Sequence, residues 1–231
     1  MTEPLSTIRF PGESPEYRAA RDTLLLAEMA LRRQTESVAA LRRGLPAGGV
    51  VADDYVFQES AGSDVTASTP VRLSELFANG KNTLILYSYM FGPQMAAACP
   101  LCTSILDGLD GESPHVSQRV SFAVVAKSPI ERIMRFAKER HWRNLRLLSS
   151  GDNRYNHDYH GELANGEQMP MLNVFTRDNG TIRHFWASEM MHAPTDPGQD
   201  PRHVDSLWPL WSLLDATPEG RGEKWSPRLS Y

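Results

Sequence analysis

The sequence predicts an α/β fold in which buried strands alternate with helices and are followed by an antiparallel hairpin. Two apolar runs, at residues 83–91 and 120–126, lack the alternation of half-exposed strands and are typical of buried ones. Each run is followed by a helical pattern, and connections of this length favour right-handed crossovers between parallel strands. Farther along, Asn179-Gly180 separates two alternating apolar runs, which is a strong hairpin signal.

Composition limits the function classes. With 231 residues and 41% hydrophobic residues, the chain is long enough to bury a full core. A net charge of −4 gives no reason to expect nucleic acid or an anionic membrane as a partner. Residues 1–15 contain no apolar stretch, and no segment reaches the ~20 apolar residues of a membrane span, so we expect neither a signal peptide nor a membrane anchor. The chain has two cysteines, three residues apart, and no others that could cross-link loops through disulfides. This cysteine content favours a reducing cytoplasm.

A long amphipathic helix is predicted near the N-terminus. Ser14 is a good N-cap, and we expect a helix from Ser14 to Arg43, ended by Gly44 and Pro46. Apolar side chains recur every seven residues along this helix and form an apolar seam. The seam packs either on the helix's own domain or against a partner subunit. The seam is about 45 Å long, whereas a compact domain of ~110 residues is only about 27 Å across. We therefore predict a homodimer through this helix, whose seam consists of Tyr17, Leu24, Leu31, Val38 and Leu45.

The chain is expected to comprise a helical extension at 1–49, one α/β domain at 50–215 and a short tail at 216–231. Within the domain, the first strand is expected at 50–58, a polar turn region at 61–70 and a short helix at 71–77. Another helix is predicted from Ile130, a further strand at 145–150, and a last helix from Asp205 to Asp215.

Both cysteines lie in one motif, Cys99-Pro100-Leu101-Cys102, directly after the first buried run and a Gly-Pro loop. The motif should open a helix with Cys99 at its start and Pro100 in its first turn; glycine at 108 should close it, before a turn at 111–114. The N–H groups and dipole of a helix start favour a thiolate, the reactive form of cysteine. Cys102, one turn along, faces the same side and could close a disulfide with Cys99. The motif therefore predicts a redox site.

The order of elements resembles the thioredoxin fold: a strand, a CxxC helix, a strand, a helix, then a hairpin that begins at a proline. In that superfamily a cis-proline opens the hairpin and packs against the active-site cysteines, and Met169-Pro170 occupies the matching position. The resemblance implies a thiol–disulfide oxidoreductase in which Cys99 attacks and Cys102 resolves. It also implies that Pro100, Leu101, Met169 and Pro170 contact the substrate, a protein or small-molecule thiol or disulfide.

A narrower resemblance, to the DUF899 family of thioredoxin-like proteins, covers nearly the whole chain. That family has no established function, so the resemblance implies the fold and redox chemistry but no substrate. The segments that carry it are the helix end at 41–46, the strand around 54–57, Leu76-Phe77, the loop at 89–93, the CxxC motif with Asp107-Gly108, and the terminal run at 215–222.

Two other interpretations of the motif stay open. In the first, the cysteines are two ligands of a zinc ion, completed by His157 with His160, or by His184 with His192, because zinc prefers four ligands. In the second, the chain is an interaction module that keeps the fold without the chemistry. No cofactor is expected, since there is no glycine-rich phosphate loop or dinucleotide fingerprint. Asp107 and the nearby Asp110 are interpreted as helix-terminating residues.

Overall fold

The computed structural model describes residues 5–61, 64–222 and 224–231. The chain divides into two compact units, one up to Pro46 and one from Ala47 onward. Within the described ranges, every helix is too short or too polar to cross a membrane.

The first unit is dominated by helix α1, Pro15–Arg43. Ser14 is its N-cap: the Ser14 Oγ accepts a hydrogen bond from the Tyr17 backbone N–H at 3.1 Å, which satisfies one of the free donors of the first turn. At the other end, the Gly44 N–H donates to the Ala40 carbonyl at 3.0 Å. The predicted helix and both of its ends are confirmed. None of its residues is buried, and the leucines of the seam, Leu24 and Leu31, are exposed.

The second unit is built on a sheet that has seven strands within the described residues, in the spatial order β2-β1-β5-β4-β3-β6-β7. The β3–β4 and β4–β5 pairs are parallel and the other pairs are antiparallel, so the sheet is mixed. The strands are β1 Val56–Ala61, β2 Asp64–Arg72, β3 Thr83–Ser88, β4 Ser121–Ala126, β5 Leu147–Ser149, β6 Met171–Asp178 and β7 Thr181–Ala187.

The described part of this unit contains four α-helices, besides short 3₁₀ turns: α2 Pro100–Val116, α3 Ile130–Glu139, α4 Tyr155–Asp158 and α5 Pro209–Asp215. Helix α2 connects β3 to β4, and α3 connects β4 to β5, as the predicted parallel crossovers require. Every residue of β4 is buried, which explains the unbroken apolar sequence from Phe122 to Ala126. Alternate residues of β3 enter two separate apolar cores: Tyr87 packs with residues of α2 and α3, and Leu86 packs in the other core.

The predicted hairpin is confirmed. Strands β6 and β7 are joined by Asn179 and Gly180, whose φ angles are 47° and 80°. Two successive positive φ angles are what a type I′ turn requires, and Asn followed by Gly is the pair that adopts them at least cost. The turn residues therefore favour the register next to the turn, where Asp178 pairs with Thr181.

Several predicted boundaries are wrong. The region 61–70 was expected as a polar turn, but β2 spans most of it and pairs with β1 from Val56↔Arg72 onward. The first strand starts at Val56 rather than at Val50, which forms only an isolated bridge with Arg183. The last helix is interrupted, because a short 3₁₀ turn at Asp205–Leu207 precedes α5, which begins at Pro209. Proline fits the first turn of a helix at no cost, whereas inside a helix it removes one backbone hydrogen bond, so Pro209 is a natural place for α5 to begin.

Helix α2 runs to Val116, so the predicted end at glycine 108 and the predicted turn at 111–114 are wrong. The acidic residues expected to terminate it lie in its interior and hold the segment that follows α3. Asp107 accepts hydrogen bonds from the side chains of Arg140 and Trp142. Asp110 Oδ1 accepts the backbone N–H groups of residues 143, 144 and 145 at 2.8–3.1 Å. These long-range contacts and the buried apolar face stabilise the helix through positions of low helix propensity.

Candidate active site

The CxxC motif lies where the sequence predicts, at the start of α2. Cys99 is the N-cap, with extended backbone (φ −63°, ψ 123°), and Pro100 is the first helical residue. The Cys99 N–H donates to the Met90 carbonyl at 3.0 Å, which fixes the loop that leads from β3 to the helix. The Cys99 carbonyl accepts from both the N–H and the hydroxyl of Thr103, at 3.0 and 2.8 Å. The Cys99 sulfur is thus carried by a well-anchored helix terminus.

The two thiols are free and differ in their access to solvent. Cys99 is partly exposed, whereas the Cys102 side chain is 2% exposed and packs in the core between the sheet and α2. A reagent from solution can therefore reach only the first sulfur directly.

The electrostatic environment separates the thiols further. The pKa of Cys99 is lowered to about 6, chiefly because the Cys102 thiol donates a hydrogen bond to the Cys99 sulfur. Burial opposes that shift, and the backbone N–H groups of Cys102 and Leu101 assist it. At neutral pH Cys99 is therefore mostly thiolate.

The pKa of Cys102 is raised well above its usual range. The main cause is that its proton is held by the Cys99 sulfur, and burial and the nearby negative charge add to the effect. The nearby Tyr87 hydroxyl and the Met90 backbone act in the opposite direction. One proton shared between the two sulfurs thus keeps Cys99 ionised and Cys102 neutral.

Arg132 of α3 holds the loop that precedes the motif, a role that the sequence did not reveal. Its guanidinium donates to the carbonyls of Gly92 (3.1 Å), Met95 and Ala96 (3.3 Å). The same group lies 4.3 Å from the centroid of the Phe91 ring, a cation–π contact. Because the partners are backbone atoms about 40 residues away, no pattern in the sequence points to this arginine.

The same loop also makes a close contact with Gln168, through Gly92. A Cβ at this position would lie 2.8 Å from Gln168 Cγ, so the backbone at 92 approaches Gln168 more closely than any other residue type permits. Beside this contact is a groove of about 550 Å³, the Met groove, whose methionines are Met90, Met95 and Met169. Met169 thus lines a cavity formed by the same loop that carries Cys99.

Pro170 is buried and immediately precedes β6, so the predicted hairpin that begins at a proline is confirmed. The expected cis isomer is wrong, since no peptide bond among the described residues is cis. The β3–β6 register pairs Ser88, the last residue of β3, with Met171, the first residue of β6. Pro170 therefore lies just beyond the end of this pairing, where β3 continues into the loop that contains Met90. A trans peptide changes the direction of the backbone before Pro170, but the β3–β6 register alone sets the position of Pro170 at this end of the strands.

Leu101 lies beside another cavity, of about 320 Å³, the Trp groove, which it lines with Trp208, Trp211 and Trp225. Leu101 is 41% exposed, so it presents apolar surface to solvent close to Cys99. Trp208 Nε1 donates to Ser104 Oγ at 3.1 Å, so the C-terminal segment is fastened directly to α2. Leu101 and Met169, predicted together as substrate contacts, line different cavities.

The histidines proposed as zinc ligands are not grouped with the cysteines. His157 is exposed and contacts its neighbour Asp158. His160, His184 and His192 line a cavity of about 780 Å³ to which neither cysteine contributes. There His184 Nε2 is 2.9 Å from Asn173 Oδ1. In the part of the chain that the structure describes, no three His, Cys, Asp or Glu side chains form a metal-binding group.

These features define the class of protein. Parallel β3 and β4 are connected by α2, the antiparallel β6–β7 hairpin lies beside β3, and a dithiol opens α2: this is a thioredoxin-like fold with a CxxC motif at its usual helix terminus. The chain belongs to the family described as "Bacterial protein of unknown function (DUF899)", whose model matches residues 8–231.

Solved structures similar to the chain are redox proteins at low identity. Peroxidoxin BcpB from Mycobacterium tuberculosis is 20% identical, with a TM-score of 0.44 over 71% of this chain and 95% of that one. The Plasmodium falciparum antioxidant protein (1-Cys peroxiredoxin) is 12% identical, with a TM-score of 0.49 over 73% and 99%. The exposed lipoprotein thioredoxin Etrx1 of Streptococcus pneumoniae is 14% identical, with a TM-score of 0.39 over 66% and 97%. A search of curated proteins finds no match.

Proposed function

We propose that the protein is a thiol–disulfide oxidoreductase that uses Cys99 and Cys102 as a dithiol/disulfide pair. The observation that supports this most directly is the opposite displacement of the two thiol pKa values: Cys99 is lowered to about 6 and Cys102 is raised. A structural cysteine pair needs no such difference, whereas disulfide exchange needs one thiolate that is accessible and one thiol held in reserve.

In the forward direction the Cys99 thiolate attacks one sulfur of a substrate disulfide. A Cys99–substrate bond forms, the substrate disulfide breaks, and the released substrate thiolate takes up a proton. Cys102 then loses its proton and attacks the Cys99 sulfur, which forms the Cys99–Cys102 disulfide and expels the second substrate thiolate. The substrate gains two electrons from the cysteine pair and two protons, one released by Cys102 and one from solvent. An external dithiol returns the protein to its starting state.

The substrate we propose is a thiol or disulfide of a protein or small molecule, bound along the Met groove, where the lining residue Met90 accepts the Cys99 N–H. Methionine side chains are flexible and polarisable, so a surface that carries Met90, Met95 and Met169 can fit differently shaped partners. Pro100 and Leu101 would meet the substrate from the helix side, and Pro170 from the hairpin side. A reducing cytoplasm would keep the pair in the dithiol form that begins this cycle.

The decisive experiment is reduction of insulin disulfides by the protein in the presence of a dithiol. Wild type should accelerate the reaction, and Cys99→Ser should abolish the acceleration because the attacking sulfur is gone. Arg135→Ala is a matched control, since Arg135 is an exposed residue of α3. Equal rates for wild type and Cys99→Ser, or no acceleration by wild type, would refute the proposal.

A further inference from the structure

Tyr87, the penultimate residue of β3, carries a hydroxyl that the fold does not otherwise explain. The side chain is fully buried in the core between the sheet and α2. Among the described residues, its hydroxyl has no hydrogen-bond partner of normal geometry. The polar group with which it interacts is the Cys102 sulfur, which belongs to the same core. Two residues along the chain, the Tyr89 hydroxyl has an ordinary partner, the Thr103 hydroxyl at 2.8 Å.

A buried hydroxyl without a partner is unfavourable, and phenylalanine would fill the same space without that cost. The neighbouring sulfur gives the hydroxyl a use that depends on the charge of Cys102. A neutral thiol is a weak hydrogen-bond acceptor, whereas a thiolate is a strong one, because bonds to charged acceptors are about twice as strong as neutral ones. Tyr87 is therefore poorly satisfied while Cys102 is protonated and well satisfied once it is ionised.

We propose that Tyr87 is the hydrogen-bond donor that stabilises the Cys102 thiolate during resolution of the mixed disulfide. This inference rests on the proposed function and assigns it a further residue. In the mixed disulfide Cys99 carries no charge and no longer holds the Cys102 proton. The Cys102 proton then leaves for solvent, while Tyr87 O–H and the Met90 backbone N–H hold the sulfur anion in place. That anion attacks Cys99, and the departing substrate sulfur takes a proton from solvent.

Tyr87 acts as a donor and not as the base that removes the proton. Burial raises the pKa of its hydroxyl well above the usual range, and the charges of the two cysteines raise it further. The hydroxyl consequently stays protonated throughout the cycle. The Tyr87 hydroxyl lowers the free energy of the Cys102 thiolate. It thereby raises the fraction of mixed disulfide in which Cys102 is ionised and ready to attack.

The test is a two-phase reaction of the reduced protein with dithiobisnitrobenzoate, a symmetrical aromatic disulfide that releases a coloured thiolate. The first release reports attack by Cys99, and the second reports resolution by Cys102. Tyr87→Phe should leave the first phase unchanged and slow the second at neutral pH roughly 3- to 15-fold. That range follows from losing one hydrogen bond to a charged sulfur, partly offset by the greater nucleophilicity of a more basic thiolate.

The pH dependence separates this role from a merely structural one. The rise of the second-phase rate with pH should move to higher pH in Tyr87→Phe. It should not move in Tyr89→Phe, which also loses a buried hydroxyl, directly after β3, but one bonded to Thr103. A fluorinated tyrosine at position 87 is a stronger donor of nearly the same size, and should shift the profile to lower pH. It provides the test if Tyr87→Phe does not fold.

Each outcome decides a different point. If wild type releases no second coloured thiolate, the resolving role of Cys102 fails, and with it both the proposed function and this inference. If wild type shows two phases and Tyr87→Phe has the same second phase and pH profile, only the assignment of Tyr87 is overturned. A second phase slowed equally by Tyr87→Phe and Tyr89→Phe, with no shift in pH, also overturns it.

Discussion

Replacing Cys102 with alanine should raise the pKa of Cys99, although Cys102 is not itself the attacking group. The largest influence that lowers the Cys99 pKa is the hydrogen bond from the Cys102 thiol. Alanine removes that donor and leaves the smaller contributions from the backbone N–H groups at the start of α2. The substitution thus tests whether the partner thiol or the helix terminus is the main cause of ionisation.

The size of the effect follows from the displacement of the pKa. The ordinary value for a cysteine is about 8.5, and Cys99 is lowered to about 6. Since the lost hydrogen bond is the largest cause, Cys102→Ala should raise the pKa by about 1 to 2 units, each unit corresponding to about 1.4 kcal/mol. The thiolate fraction at pH 7 would fall from about nine-tenths to between roughly one-half and one-tenth.

The assay is alkylation of the single remaining cysteine by iodoacetamide as a function of pH. The midpoint of the profile is the quantity to compare, because a higher pKa also makes the thiolate more nucleophilic and compensates part of the loss in rate at one pH. Cys102→Ser is the matched control: its hydroxyl is still a donor and should retain much of the shift. A midpoint that stays near 6 in Cys102→Ala would show that the helix terminus suffices and that our reasoning is wrong.

Three further predictions concern the loop, the pH dependence of stability and assembly. Arg132→Ala should lower the free energy of unfolding by about 2–3 kcal/mol, because two part-buried carbonyls lose a charged donor; denaturation should find Arg135→Ala within about 0.5 kcal/mol of wild type. The native pKa of Cys99 is depressed, so between pH about 6 and about 8.5 the unfolded chain binds more protons and the reduced protein should become more stable as pH rises. That slope should be shallower in Cys99→Ser, and equal slopes would contradict the assignment. We also predict a homodimer through α1: sedimentation should show a dimer that Leu24→Asp/Leu31→Asp dissociates, and a wild-type monomer would refute it.

The features that sequence analysis predicted correctly are those determined by local chemistry. Ser14 ahead of Pro15, and Asn179 ahead of Gly180, each satisfy a backbone requirement within a few residues. The position of Cys99 at a helix start follows in the same way from the proline beside it. Such signals are complete within a short window, so they can be recognised without knowing the tertiary structure.

The features that were missed depend on contacts between distant parts of the chain. Glycine at 108 and proline at 114 are poor helix residues, yet α2 continues through both because Asp107 and Asp110 bind the segment after α3. Tyr87 looks like any core aromatic until the sulfur beside it is known. Strand β2 carries no clear apolar alternation, and its pairing with β1 is visible only in the folded sheet.

The close approach of Gly92 to Gln168 has a consequence for how the family can vary. Position 92 can accept a side chain only where residue 168 is smaller or turned aside, because an added Cβ would meet Gln168 Cγ at 2.8 Å. The two positions are separated by more than 70 residues of chain but should be substituted together among homologues. Such a correlated pair would fix the spacing between the cysteine loop and the hairpin, while the residues lining the Met groove remain free to diverge with the partner.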